Sequence, residues 1–236
     1  MVEGKKELRK ITSENLQEIS GKHWLWLNGK PGGEQADLSY TDLQEANLLG
    51  VILERATFEQ AFLQKARFMN ASLHHAIFEN AQLQEAHFEG ASLERASLQG
   101  ANLQGASLQG ANLQGANFQG ANLQGANLQG ANLIVANLGG ANLERANLQW
   151  ANLQEANLQR ANLQEAELQW AKLQEANFSE ARLFLADIRN ANLMAASFHN
   201  ADIAAIRWDR KMEESNCWGI KIETAYGSPT LCANDI

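Results

Sequence analysis

The chain has 236 residues, 45% of them hydrophobic, and a formal net charge of -8 at pH 7. A negative balance disfavours binding to phosphates and leaves a basic partner or plain solubility as its meaning. No apolar run is long enough to span a membrane, and Met1–Lys10 is charged and lacks the apolar stretch of a secretory signal, so the expectation is a cytoplasmic protein.

Residues 1–35 read as a tail followed by a capping helix. Met1–Lys10 is expected to fray. Thr12 and Ser13 are both N-cap candidates, with Glu14 in the first turn, where the helix dipole favours an acid. Leu16, Ile19, His23 and Leu27 recur at helical spacing, flanked by Trp24 and Trp26, and Gly29-Lys30-Pro31-Gly32-Gly33 ends the helix. Trp24 and Trp26 suit a lid over the open end of a repeat stack. The competing use is a binding surface. His23 stands alone and reads as a packed or exposed helix histidine rather than a ligand.

From residue 36 the chain keeps a strict period of five. Every fifth residue from Ala36 to Ala201 is Ala, except Thr41 and Val51, and every fifth residue from Leu38 to Ile203 is Leu, Phe or Ile. Asn, Ser or Asp usually stands between them, and two polar or glycine positions follow, as in Ala101-Asn102-Leu103-Gln104-Gly105. Five is neither a helix nor a strand period; it marks a repeat architecture. Two apolar positions two apart fit the alternation of an extended segment, and Gly105, Gly110 and Gly120 permit the backbone angles of a tight corner.

This pattern resembles the pentapeptide-repeat family, A(N/D)LXX, over Ala36–Ile203. The resemblance implies an all-β fold, a right-handed quadrilateral β-helix with five residues per side and twenty per coil. The central Leu or Phe and the small residue two before it would point inward. The domains expected are a tail and capping helix at 1–35, the β-helix at 36–208 and a short C-terminal cap at 209–236. The phenylalanines offer a test: Phe58, Phe78, Phe118, Phe178 and Phe198 differ by multiples of twenty, while Phe68 and Phe88 share a column half a coil away. Stacked rings should pack well. Glu45/Lys65/Glu85, Arg145/Glu165, Arg160/Glu180 and Arg182/Asp202 should stack with opposite sign, Glu59/Glu79 and Glu155/Glu175 with like sign. With ~4.8 Å between strands the array makes a rod of roughly 40 Å whose strand-edge ends need caps.

No charged residue lies between Arg95 and Glu144, and residues 36–208 carry 17 Asp and Glu against 10 Lys and Arg. Some family members bind DNA gyrase and topoisomerase IV by imitating duplex DNA; that needs carboxylates at a density approaching that of phosphates. The neutral middle weakens that reading. Its Asn and Gln columns fit amide ladders along the rod; a recognition surface for polar partners is the alternative. Apolar residues at outward positions are the sharper signal. Trp150 and Trp170 lie twenty apart, followed by Phe184, Leu185 and Met194. Trp is enriched at interface hot spots, so these five residues are the candidate interface; packing under the C-terminal tail is the competing explanation.

Nothing reads as catalytic. His74, His75, His87 and His199 fall on four columns, and no nucleophile–base spacing, phosphate loop or metal pattern is present. No cofactor, metal or direct nucleic-acid contact is expected. Ile206 and Trp208 continue the inward positions, with Trp208 plugging the core. Beyond it, Trp218–Thr224 is a short strand candidate, Gly227-Ser228-Pro229 a turn, and Cys217 and Cys232 reduced thiols or a disulfide. The tail reads as a cap, with a homodimer through it as the alternative. The function expected is a non-enzymatic scaffold for protein–protein interaction, of bacterial origin and from cyanobacteria in particular, where the family abounds; the alternative is a binder of gyrase or topoisomerase IV of the quinolone-resistance kind.

Overall fold

The structure is a computed structural model and describes residues 8–208. Its unit is the pentapeptide, and the reasons are local. Each repeat runs extended through its two apolar positions and then turns, the amide of the next Ala donating to the carbonyl of the central Leu, as from Ala106 to Leu103 at 2.9 Å. The fifth residue of every repeat from Tyr40 to Ala205 has a φ of 53° to 66°, the left-handed region such a turn needs at its third residue. The Asn between the apolar positions explains itself here. Its Oδ1 accepts the amide two residues on, as from Gln129 to Asn127 at 3.1 Å, which pins the turn.

Parallel bridges join residues twenty apart from Asp37↔Thr57 to Asp187↔Arg207 without a break. Four repeats therefore make one coil, and each wall is bridged at a single residue. This is a β-helix almost without strands of ordinary length: the only two-residue strands among the described residues are β1 (Arg9–Lys10) and β2 (Thr41–Asp42). On one wall, Leu103 N donates to Asn122 O at 2.7 Å, Asn122 N to Ala101 O at 2.9 Å and Gly105 N to Gln124 O at 2.9 Å.

The core is a filled column. The Ala and Leu/Phe positions are buried almost without exception. Phe58 and Phe78 stack at 4.6 Å, Phe68 and Phe88 at 4.8 Å, and Phe178 and Phe198 at 4.8 Å, which establishes the twenty-residue coil. The two columns also meet edge to face across the centre, Phe68 lying 5.7 Å from Phe58 and 5.8 Å from Phe78, a favourable aromatic geometry that spacing alone did not reveal. The amide ladder is present: Asn122 donates to Asn102, Asn142 to Asn122 and Asn162 to Asn142 at 3.2, 3.2 and 2.9 Å.

At the N-terminal end lies α1 (Ser13–Leu27). Thr12, not Ser13, is the N-cap, its Oγ1 accepting from the Asn15 amide at 3.2 Å. Ile11, Leu16 and Ile19 pack against the core. Gly33 folds back so closely on the last turn of α1 that a Cβ there would sit 2.3 Å from the Trp26 nitrogen. The expectation that Met1–Lys10 frays is corrected at Arg9–Lys10, which pair in parallel with Thr41–Asp42. The reason is that the first coil has unpaired edge groups, and an extended segment satisfies them. Met1–Glu7 lies outside the described residues, as does the segment 209–236 with its expected cap, Cys217, Cys232, the Trp218–Thr224 strand and the Gly227–Pro229 turn.

Candidate functional site

The corner of Trp150 and Trp170 follows from the frame just described. Both are fifth residues of a repeat, each with φ 62°, and one coil separates them. Their rings stack at 5.0 Å and 2° while remaining 57% and 48% exposed. Glycines occupy the same corner below, at Gly110 and Gly130, and Asn190 follows above. On the wall before the corner, the Gln149 side chain donates to Glu167 at 2.6 Å; on the wall after it stands exposed Lys172.

The neighbouring corners differ in charge. On one, the Arg145 Nε meets Glu165 at 3.0 Å. Hydrogen bonding and charge from Glu165 raise the guanidinium's pKa, and the hydrogen bond from Arg145 holds the Glu165 carboxyl below its ordinary range. On the other corner Glu155 and Glu175 stack like on like. Elsewhere Lys65 meets Glu85 at 3.7 Å and Arg160 meets Glu180 at 2.8 Å, as spacing implied.

The other three candidate interface residues do not join the Trp pair in one patch. Phe184 and Leu185 sit one coil above the Arg145–Glu165 corner, and Met194 one coil above Gln174, beside the Glu175 corner. At that level Arg189 stands just before Asn190 of the Trp corner, and its guanidinium meets Asp187 at 2.6 Å. Burial works to raise the Asp187 pKa, but the hydrogen bonds and charge of Arg189 outweigh it and hold the carboxyl low. The apolar residues therefore flank a salt bridge.

The capping candidates also separate. Trp26 stacks on His23 at 5.4 Å, and Trp208 is partly buried against the core. Trp24 points outward and is half exposed, so the end is packed instead by Leu16 and Ile19 of α1 and by Ile11 just before it. His23 is fully buried: its Nε2 donates to Glu54 O at 2.9 Å, and its Nδ1 accepts from the Ala36 amide at 2.9 Å. Those roles require the neutral ring, and burial pushes its pKa down. The Glu54 carbonyl is the kind that accepts from the coil below in later coils, as Glu59 O does from Tyr40, so His23 replaces a missing coil at this position.

Of the array's histidines, His74 lies 3.8 Å from Glu94 and His87 3.2 Å from Glu89. Among the described residues no three His, Cys, Asp or Glu side chains come together as a metal site, and no helix is long and apolar enough to cross a membrane. Sequence reasoning passed over the first coil, where Leu49 and Ile52 are exposed at 53% and 43%. The signal was there: Leu49 and Ile52 break the outward-polar rule within three residues, on either side of the inward Val51.

Comparison with curated protein sequences returns no match. Among solved structures, HetL, a pentapeptide repeat protein involved in heterocyst differentiation regulation from the cyanobacterium Nostoc sp. strain PCC 7120, is 28% identical over 91% of this chain and 94% of its own, with a TM-score of 0.45. A trypsin-treated form of QnrB1, a plasmid-mediated fluoroquinolone resistance protein, is 19% identical over 74% of this chain and 90% of its own, with a TM-score of 0.41. The family model for pentapeptide repeats matches in 8 copies, at residues 36–74, 52–90, 76–115, 111–149, 141–179 and 161–200. Those matches follow the unbroken ladder of parallel bridges, and the chain belongs to the pentapeptide-repeat family, whose members fold as right-handed quadrilateral β-helices.

Proposed function

We propose that this chain is a non-enzymatic cytoplasmic scaffold that binds a protein partner through the outer faces of its β-helix, with α1 and β1 covering part of one end. The observation that carries this is the Trp150–Trp170 pair, two large aromatic rings held parallel and half exposed on a rigid corner. Each sits at positive φ, where glycine serves the fold better, so the side chains are retained against a local cost. A preformed aromatic surface on a stiff rod loses little freedom on binding, and the inward Ala and Leu or Phe side chains of the described coils are packed together in one core.

The test is affinity capture from the source organism with wild type and with the Trp150→Ala/Trp170→Ala variant. The expected result is a partner retained by the wild type and lost by a variant of unchanged melting temperature. Equal capture by both removes the Trp corner from the function. The gyrase-binding alternative has the rod shape in its favour and the charge against it. Lys65, Arg145 and Arg160 neutralise carboxylates that a duplex mimic would display. Supercoiling by gyrase that is unaffected by micromolar protein would exclude it.

A further inference from the structure

α1 crosses the open end of the first coil without closing all of it. One wall is closed by β1. Arg9 Nη2 donates to Asp37 O at 2.8 Å, His23 to Glu54 O, and Gln35 Nε2 to Arg55 O. The wall centred on Asn47 is different. One coil higher, Arg67 N donates to Ala46 O at 2.9 Å, Leu48 N to Arg67 O at 2.8 Å and Gly50 N to Met69 O at 2.9 Å. The groups that would repeat those bonds below are the Asn47 amide and the Asn47 and Leu49 carbonyls. None has a hydrogen-bond partner among the described residues.

A groove of about 620 Å³ runs between this edge and the helix, walled by Leu16, Gln17 and Ser20 on α1 and by Glu45, Asn47 and Leu49 on the coil. Among the described residues that line it, the charged ones are Asp42 and Glu45. Leu49 is exposed, with Met69 one coil above it, at the corner where later coils carry Glu89 and a run of glutamines. Unpaired edge groups, an apolar corner and a carboxylate rim thus coincide.

We propose that this edge is a docking site for an extended, Lys- or Arg-bearing segment of a partner protein. The segment pairs in parallel beneath Asn47 as Arg67 pairs above it, and lays an apolar side chain against Leu16 and Leu49. The ladder it would extend already exists: β1 docks on the adjoining wall by the same parallel pairing. Main-chain bonds supply general affinity for an added strand, and side-chain pockets supply the choice of partner; here the choice is set by Asp42 and Glu45. This site is separate from the Trp corner, several coils away.

The test is to select random heptapeptides displayed on phage against the full-length protein, then measure binding of the enriched peptides by fluorescence anisotropy and amide exchange by NMR. Enriched peptides are expected to carry Lys or Arg beside an apolar residue and to slow exchange of the Asn47 amide at least tenfold. Asn47→Pro removes an amide that the fold does not use, which a strand edge tolerates, and should weaken binding at least tenfold at unchanged melting temperature. Glu45→Lys should weaken it about tenfold. Failure to enrich any peptide, or enriched peptides that leave Asn47 exchange unchanged, overturns the proposal. Concentration-dependent self-association that Asn47→Pro abolishes, with no peptide bound, assigns the edge to a second copy and also overturns it. Should Asn47→Pro not fold, the exchange measurement on the wild type decides alone.

Discussion

The coils between Arg95 and Glu144 and the coils on either side share one backbone and differ in nearly everything they show to solvent. The middle is Ala, Leu, Asn, Ser, Gln and Gly with little else; the flanks carry Glu, Arg, His and Trp at equivalent places. Both hold the same bridges and the same left-handed corners. The fold is therefore written in the two inward positions; Phe62, Arg67 and Ile77 stand where Asn pins other turns and keep the same bridges, so that Asn and the corner glycine reinforce the fold without being required. Of the array's corner residues, 24 are not glycine and still adopt φ near 60°, against a left-handed cost of roughly 1–2 kcal/mol per residue. The middle is where the rod is least strained and least specific. The flanks accept strain and gain a surface.

The sharpest way to test this division lies in the core. Phe78 stacks on Phe58 and meets Phe68 and Phe88 edge to face, whereas Phe118 in the middle stands between Leu98 and Leu138. Phe78→Ala should cost about 3–5 kcal/mol in urea unfolding, and Phe118→Ala about 1 kcal/mol less, the contribution of aromatic pairing beyond buried area. Equal losses would mean that the Phe-rich flank is filled by volume alone.

A smaller effect tests the corners. A Cβ at Gly125 would meet nothing within 4 Å, so Gly125→Ala should lose only the backbone term, about 1–2 kcal/mol. Val135 is a β-branched residue at φ 57° within the glycine-rich middle, and Val135→Gly should recover about 1 kcal/mol. Unchanged urea midpoints for both would sever the link between corner glycines and strain.

The smallest effect separates the end from the middle by pH. His23 is held neutral in the fold with its pKa below the ordinary value. As pH falls, the unfolded chain takes up this proton first. The stability His23 contributes is complete above about pH 6.5, and it declines from there down towards the folded pKa. Hydrogen exchange at the Ala36 amide should quicken below that pH, while amides between Arg95 and Glu144, where no side chain titrates, should follow only intrinsic exchange. A flat response at Ala36, or one matched by His23→Gln, would detach the cap from this histidine.

Much of the array was legible because translation by twenty residues turns contacts into arithmetic. The Phe columns, the stacked Trp pair and the Lys65–Glu85, Arg145–Glu165 and Arg160–Glu180 pairs all follow from residue number. The arithmetic has limits even there: Arg182 and Asp202 bridge through the backbone, and no ion pair forms between them. The ends were not legible. Arg9–Lys10 has no strand pattern of its own and is extended because an edge needs it. The partners of His23 depend on where α1 crosses the coil, which no helical periodicity encodes. The scatter of Phe184, Leu185 and Met194 around Arg189 was computable from the period, but only after asking which corner each residue occupies and at which level.

The twenty-residue ladder also makes position along the chain an angle. Adding one pentapeptide after Gly125 would keep an Ala and a Leu at every inward position while shifting the pairing across the insertion by one repeat, and it would rotate everything downstream by a quarter turn relative to everything upstream. The Trp pair would then face a new bearing as seen from the groove beside Asn47. Adding four pentapeptides would lengthen the rod by one coil and restore the original bearing. A single molecule that grips both places would register the first change as a twist and the second as a stretch, so the array is a scale on which direction and distance are set independently.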